Sequence, residues 1–429
     1  MSSIKVVGGE QLKGEVKIQG SKNAALPILA ATILNKGINR LCNCPKILDV
    51  FHMIKILEDL GCKTLWEGDT LVVDTSSPIS TIVSEDYVRK MRCSILFLGA
   101  LLGRCKEVTI AYPGGCSIGD RPIDYHLDAF KKMNVLLDEE EGSNLIRCKA
   151  TCILGSDIFL KSPSVGATQN IILAAVRSNG VTRIFNAARE PEVSELCNYL
   201  IAAGAKIIGT GSDRLEVEGV SYLHDVSFTL SPDRIVAGTY MTAIATAHGE
   251  AILRDAPWWQ LESVIAVLRR VGCNIETTKD YLKICSYKKL NAINLIKTQP
   301  YPGFPTDMQS QIMTVLCLAD GKSTIVENIF ESRFQNSEEL KKMGAEIVIE
   351  TEEKRAIIRG VDQLYGTIVE AHDLRGGAAL VTAGLAANGT TLICNSNYVE
   401  RGYEDICRDL SYLGAKIGYY SESILYLGA

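Results

Sequence analysis

Hydrophobic and polar positions along the chain set out two kinds of helix, separated by strands. Amphipathic stretches such as Asp49–Leu60, Pro191–Ala203 and Glu338–Met343 place apolar residues at helical spacing with charges between them. They run into a recurring phrase: an apolar residue, Gly, a small residue, a polar residue, then an apolar strand. The copies are Leu60-Gly61-Cys62-Lys63, Ala203-Gly204-Ala205-Lys206, Val271-Gly272-Cys273-Asn274, Met343-Gly344-Ala345-Glu346 and Leu413-Gly414-Ala415-Lys416. In a sixth, Met133-Asn134-Val135, Asn stands in the glycine place. The six positions lie 73, 70, 68, 72 and 70 residues apart. The residue just past a helix end commonly turns left-handed, which Gly does without strain and Asn does next best. The phrase therefore predicts six helix ends at regular spacing. Each is followed by a hairpin pattern, as in Thr64-Leu65-Trp66, Glu67-Gly68-Asp69 and Thr70-Leu71-Val72-Val73.

A second helix in each unit is richer in Ala and Leu and poor in charge: Asn23–Lys36, Tyr87–Leu102, Val165–Asn179, Asp233–His248, Asp307–Asp320 and Asp373–Asn388. Each is followed by Gly, at 37, 103, 180, 249, 321 and 389. Helices apolar on most sides are buried ones. The pattern predicts an α/β protein built from six β-α-β-α-β-β repeats, three per domain, because clustered units cover one another's buried helices. The Ser231-Pro232-Asp233 turn places the domain break near Thr229–Pro232. One domain is expected over residues 21–230, the other over 1–20 plus 231–429. The final repeat lacks a strand after its hairpin, and residues 1–20 could supply it.

A chain of 429 residues, 47% of them hydrophobic, supports two cores of this kind. A net charge of −5 argues against nucleic-acid or anionic-membrane partners. No signal peptide or membrane span is apparent, so a soluble cytoplasmic protein is expected. The 14 cysteines are scattered, many in apolar stretches such as those holding Cys62, Cys93, Cys197, Cys273 and Cys317, and read as reduced buried thiols. The close pairs Cys42–Cys44 and Cys148–Cys152 have no second pair or histidine at zinc spacing, so no metal is expected.

The starts of the buried helices gather polar residues: Lys22-Asn23, Arg92, Ser164-Val165-Gly166, Asp233-Arg234, Thr306-Asp307 and Asp373-Leu374-Arg375. Helix N-termini attract anions, and loop residues Arg121, Arg333 and Arg401 add cations. This suits a ligand with several phosphate and carboxylate groups. Asp233 and Asp307 also read as ordinary caps, and Thr306-x-x-Gln309 as a capping box. The segment Pro113-Gly114-Gly115-Cys116-Ser117-Ile118-Gly119-Asp120-Arg121-Pro122 predicts a mobile loop with a thiol beside a cation, which lowers a thiol pKa and makes it reactive.

In order along this grid, several segments resemble the UDP-N-acetylglucosamine 1-carboxyvinyltransferase family essentially end to end. They are Gly20-Ser21-Lys22-Asn23-Ala24-Ala25-Leu26-Pro27, Val88-Arg89-Lys90-Met91-Arg92, the Gly-Gly-Cys loop, Pro163-Ser164-Val165-Gly166-Ala167-Thr168, Ala188-Arg189-Glu190-Pro191-Glu192, Gly303-Phe304-Pro305-Thr306-Asp307-Met308-Gln309, Asp373-Leu374-Arg375 and Arg401-Gly402-Tyr403-Glu404. The resemblance implies the enolpyruvyl transferase fold, a two-domain inverse α/β barrel that closes over the nucleotide sugar with the cysteine loop as lid. It implies transfer of the enolpyruvyl group of phosphoenolpyruvate to the 3′-hydroxyl of UDP-N-acetylglucosamine by addition and elimination, with no cofactor and no metal. That is the first committed step of peptidoglycan precursor synthesis.

By the same resemblance, Cys116 is the proton donor and the thiol that fosfomycin alkylates, and Asp307 the base. Lys22, Arg121 and Arg401 hold the phosphate, with Arg92, Arg333 and Arg375 completing the anion site and Asn23 beside it. Nucleotide-sugar contacts are implied for Asn23, Arg92, Arg121, Pro122, Ile123, Asp124, Tyr125, Ser164, Val165, Gly166, Asp307 and Ile329, while Glu190 and Glu192 orient Lys22 or the sugar. The sequence departs from the family pattern at Glu400, Val236, Lys161-Ser162 and Asp120. Two other readings stay open: a transferase acting on shikimate 3-phosphate, which lacks the Gly-Gly-Cys loop, and a catalytically silent UDP-sugar-binding paralogue.

Overall fold

The computed structural model describes residues 2–114, 119, 121–138 and 144–421. The chain forms two compact units: Met1–Gln19 with Pro232–Ala429, and Gly20–Cys116 with Arg121–Ser231. Each unit has its own apolar core.

The six helix ends form as the repeating phrase requires. Gly61, Gly204, Gly272, Gly344 and Gly414 have φ between 92° and 114°, and Asn134 has φ 65°. In every copy two N–H groups fold back onto the last turn: Gly61 donates to Glu58 O and Cys62 to Leu57 O, and likewise Asn134 to Lys131 O and Val135 to Phe130 O. These bonds satisfy carbonyls that a helix end otherwise leaves open.

Each repeat then builds a small sheet. A hairpin, such as Lys63–Glu67 with Thr70–Asp74, lays its second strand antiparallel to a central strand, here Ile38–Cys42. A further strand joins the other edge of the central strand in parallel, as Asp157–Phe159 does beside Val181–Phe185. In the second repeat this strand is reduced to a single bridge, Ile82 to Thr109. In the last repeat Ser2–Val7 takes the place of the second hairpin strand, pairing antiparallel with both Lys416–Ser421 and Thr390–Cys394. The N-terminus thus supplies the missing strand.

One pairing is not visible in the repeat pattern. Lys13–Lys17 leads into the helix at Lys22 but pairs with Glu250–Arg254, the central strand of the fourth repeat. Val226–Thr229 leads into the helix at Arg234 but pairs with Ile38–Cys42. The first and fourth repeats have exchanged their leading strands, so the chain passes from one unit to the other twice near these helix starts.

The six low-charge helices fill the cores. Lys22–Ala31, Leu96–Cys105 and Val165–Ala175 serve one unit; Arg234–Thr246, Gln309–Cys317 and Leu374–Ala386 serve the other. Every residue of Arg234–Thr246 is buried. Close approach depends on glycine: a Cβ at Gly99 would lie 2.2 Å from Asn170 O.

Several expectations need correction. The helix expected over Tyr87–Leu102 is broken into Glu85–Val88, a 3-10 turn Arg92–Ile95 and Leu96–Cys105. Met91 is extended, and the Ser94 hydroxyl donates to Val88 O and Met91 O, turning the chain there. Gly103 lies inside that helix, where a Cβ would meet Leu34 and Leu173 O at 2.7 and 2.8 Å; the left-handed stop is Lys106, φ 64°. The helix expected from Asp307 begins at Gln309, after a 3-10 turn Thr306–Met308. Of the described cysteines, Cys42, Cys93, Cys105, Cys152, Cys285 and Cys394 are only partly buried. No helix among the described residues is long and apolar enough to cross a membrane.

Candidate active site

The residues singled out in the sequence gather in separate groups within each of the two units. In the unit Gly20–Cys116 with Arg121–Ser231, Ser21 caps the helix Lys22–Ala31 by accepting from Ala24 N at 3.3 Å. Lys22, at its first position, is buried and pairs with Asp49 at 2.7 Å. Asp49 sits in the first turn of Leu48–Asp59, where a carboxylate suits the helix N-terminus. Asn23 donates to Glu192 Oε1 at 3.4 Å, and Glu190 is the N-cap residue of Pro191–Ala202.

A second part of this unit gathers cations. Arg92 opens the turn Arg92–Ile95, and burial together with the charge of Arg121 pushes its guanidinium down to about 10. Burial, with the charges of Arg92 and Arg121, also pushes His126 down to about 3, so its imidazole is neutral. Its tautomer is fixed. Asn170 Oδ1 accepts from Gly99 N at 2.7 Å and Asn170 Nδ2 donates to Ile95 O at 2.9 Å, which sets the amide orientation. The same Nδ2 lies 2.8 Å from His126 Nδ1, which must accept, leaving the proton on Nε2. The His126 ring borders Gly166, where a Cβ would lie 3.5 Å from Nε2. Gly166 is in the first turn of Val165–Ala175, whose cap Ser164 accepts from Ala167 N. Tyr125 OH lies 3.2 Å from Ser162 Oγ, linking the two loops. Arg121, Pro122 and Asp124 are exposed, Ile123 is buried, and Tyr125, Ser164 and Val165 are half-buried. Two guanidinium groups beside a helix N-terminus, with a neutral N–H donor at its first turn, make a setting for a phosphorylated anion.

In the other unit, Asp307 does not cap a helix. Its carboxylate bridges two buried arginines, with Arg333 Nη2 at 2.5 Å and Arg375 Nη2 at 3.0 Å. The expected capping box is also absent: Thr306 donates instead to Glu327 Oε2 at 2.9 Å. Burial alone would raise the Asp307 carboxyl, but Arg375, Arg333 and Arg234 outweigh it and hold the group well below the usual carboxylate range. Arg375 is raised: Asp307, Tyr403 and Asp233 outweigh the burial that would lower it. Asp233, by contrast, is an ordinary cap, accepting from Ile235 N and Val236 N, and Asp373 caps Leu374–Ala386 likewise. Arg333 Nε and Arg375 Nη1 are buried with no hydrogen-bond partner among the described residues. Unpaired guanidinium donors in a buried setting are costly, and an incoming carboxylate or phosphate would satisfy them.

Arg401 follows the short helix Asn397–Glu400 and is half-buried. Its chain neighbours are pinned: Gln19 donates to Gly402 O at 3.2 Å and accepts from Glu404 N at 2.8 Å, and Tyr403 OH meets Thr239 Oγ1 at 2.7 Å. Ile329 is exposed, with its N–H donated to Glu327. Cys116 lies outside the described residues.

Comparison with known proteins places the chain in one class. The sequence family described as EPSP synthase (3-phosphoshikimate 1-carboxyvinyltransferase) matches residues 6–410. The enolpyruvyl transferase NikO from Streptomyces tendae superposes with a TM-score of 0.87 at 23% identity, over 97% of this chain and 98% of that one. EPSP synthase from Acinetobacter baumannii does so with a TM-score of 0.75 at 16% identity, over 98% of this chain and 100% of the other. The fold is thus that of the enolpyruvyl transferases. Within that class, UDP-N-acetylglucosamine 1-carboxyvinyltransferase 2 of Caldanaerobacter subterraneus subsp. tengcongensis is 48% identical over 97% of this chain and 99% of its own. The UDP-N-acetylglucosamine 1-carboxyvinyltransferase of Nitratidesulfovibrio vulgaris is 43% identical over 97% and 99%. The chain belongs to the UDP-N-acetylglucosamine 1-carboxyvinyltransferase family.

Three site residues escaped the sequence reading. Asp49 reads as a first-turn acid of an amphipathic helix, His126 as part of the buried face of Asp124–Lys132, and Glu327 as a polar residue after a strand. Only Asp49 carried a signal, an acid beside the apolar face of its helix.

Proposed function

We propose that the protein transfers the enolpyruvyl group of phosphoenolpyruvate to the 3′-hydroxyl of UDP-N-acetylglucosamine and releases phosphate, in peptidoglycan precursor synthesis. The observation that carries the chemistry is the Asp307 carboxylate held between two buried arginines that still have donors to offer. With both arginines bound the carboxylate is ionised but only weakly basic; an anionic co-substrate taken up by the spare guanidinium donors offsets the arginine charges and raises its basicity toward the hydroxyl proton. In the addition step the sugar oxygen bonds to the central carbon of phosphoenolpyruvate, Asp307 takes the hydroxyl proton, and the Cys116 thiol gives a proton to the methylene carbon. In the elimination step that carbon, now a methyl, loses a proton as the C–O bond to phosphate breaks.

Lys22, Arg121 and Arg401 serve the phosphate, and Arg92, Arg333 and Arg375 the remaining anionic charge. Asp49 anchors Lys22 by neutralising its ammonium in a buried position. Pro122, Ile123, Asp124, Tyr125, Ser164, Val165 and Gly166 serve the nucleotide sugar with Asn23, and Ile329 is a further nucleotide-sugar contact in this reading. The two units correspond to the two domains of this enzyme class. A cytoplasmic location belongs to the same reading, supported by thirteen described cysteines that are free thiols.

The test is phosphate release from phosphoenolpyruvate with each acceptor in turn. Release with UDP-N-acetylglucosamine, none with shikimate 3-phosphate, and loss in Cys116→Ala is the expected result. Release with shikimate 3-phosphate alone would replace the substrate, and binding of the nucleotide sugar without release would mark a silent paralogue.

A further inference from the structure

Glu327 lies at the end of strand Lys322–Val326 and is 1% exposed, yet no part of the reaction above uses it. Both of its carboxylate oxygens are occupied. Oε1 accepts from Thr298 Oγ1 at 2.8 Å, Ile329 N at 2.7 Å and Phe330 N at 3.2 Å. Oε2 accepts from Thr306 Oγ1 at 2.9 Å. The Thr298 hydroxyl in turn accepts from Asn328 N at 2.9 Å. A buried carboxylate is tolerated only where donors surround it, and here those donors come from three separate segments.

Two of these segments lead to the site. Thr306 is the first residue of the turn Thr306–Met308, which carries Asp307. Phe330 accepts from Arg333 N at 3.4 Å and lies under the Arg333 guanidinium, 5.5 Å from ring centroid to Cζ. Arg333 is the nearer of the two arginines that hold Asp307. One carboxylate therefore ties the turn bearing Asp307 to the loop bearing its arginine partner, and fixes the backbone of Ile329 at the same time. We propose that Glu327 is a positioning residue for turnover: it sets the Asp307–Arg333 geometry and the Ile329 backbone through its bonds to Thr306, Ile329 and Phe330. This inference rests on the proposed role of Asp307 as base.

The two oxygens act on different segments, so two variants separate their effects. Thr306→Val removes only the hydroxyl on Oε2. It is expected to lower kcat about tenfold while leaving KM for UDP-N-acetylglucosamine within about twofold. Glu327→Ala releases both segments and should lower kcat about a hundredfold and also raise that KM several-fold; Glu327→Gln, which keeps the acceptor for Ile329 and Phe330, should recover the KM but only part of kcat. Rates are taken per folded molecule, with folded protein counted by UDP-N-acetylglucosamine titration calorimetry. If Glu327→Ala does not fold, Thr306→Val and Glu327→Gln alone decide. Wild-type kcat in both variants, whatever their stability, would overturn the proposal and leave Glu327 a purely structural residue. An Asp307→Asn variant with wild-type turnover would instead remove the role of Asp307 on which the proposal stands, without reference to Glu327.

Discussion

Replacing His126 by Gln should change how stability depends on pH, and by a calculable amount. The buried imidazole is neutral because burial and two neighbouring guanidiniums disfavour its charged form, which lowers its pKa from 6.5 to about 3. The unfolded chain therefore binds a proton below 6.5 that the folded chain does not. The stability this group allows is complete above 6.5 and falls as the pH drops, until the folded group itself titrates near 3. Between pH 8 and pH 5 the loss is about 2 kcal/mol, since each pH unit below the unfolded value costs about 1.4 kcal/mol. This figure barely depends on the folded value, provided that it stays below 5. Gln can keep the hydrogen bond to Asn170 and has no proton to gain, so the variant lacks this loss. Urea unfolding of both proteins at pH 8 and pH 5 measures it. The stability difference, wild type minus variant, should fall by about 2 kcal/mol at the lower pH. A difference that stays constant between the two pH values would refute the reasoning, as would a nitrogen NMR spectrum that places the His126 proton on Nδ1.

Three other outcomes are expected. Asp49→Ala removes the carboxylate paired with a buried ammonium and should cost about 3–5 kcal/mol, whereas the double variant with Lys22→Met should cost less than the sum of the single changes; additive unfolding free energies would show that the pair is not coupled. Asp307→Ala should lose about 10²–10⁴ in kcat with UDP-N-acetylglucosamine binding retained in calorimetry, and equal turnover would remove it as the base. Fosfomycin should add covalently to one thiol, and peptide mapping that finds the adduct on any cysteine other than Cys116 would contradict the assignment of the loop.

Much of the fold was legible because its repeat is written in local chemistry. A helix end that needs a left-handed residue must show Gly or Asn at that point, and all six positions from Gly61 to Gly414 adopt the expected φ. The missing strand of the last repeat was legible by counting, and Ser2–Val7 fills it. The exchange of Lys13–Lys17 and Val226–Thr229 between sheets was not, because parallel pairing is decided by partners far off along the chain: Glu250 pairs with Lys13, and Val226 with Asn39. The same limit governs the site. Asp233 and Asp307 have the same local signal, an acid at the start of an apolar helix, and only the first is a cap. What separates them is Arg333 and Arg375, brought to Asp307 by tertiary structure. The glutamate that ties those segments together was invisible for the same reason, since its donors Thr298 and Thr306 precede it by 29 and 21 residues.

The most direct test of the account is turnover in deuterium oxide, followed by mass spectrometry of the nucleotide sugar. Addition and elimination pass through a methyl group that has taken a proton exchangeable with solvent. The enolpyruvyl product should therefore carry deuterium on its methylene carbon, and it should form only when phosphoenolpyruvate and UDP-N-acetylglucosamine are both present. An enolpyruvyl product free of deuterium would contradict the mechanism, and no such product at all would contradict the function itself.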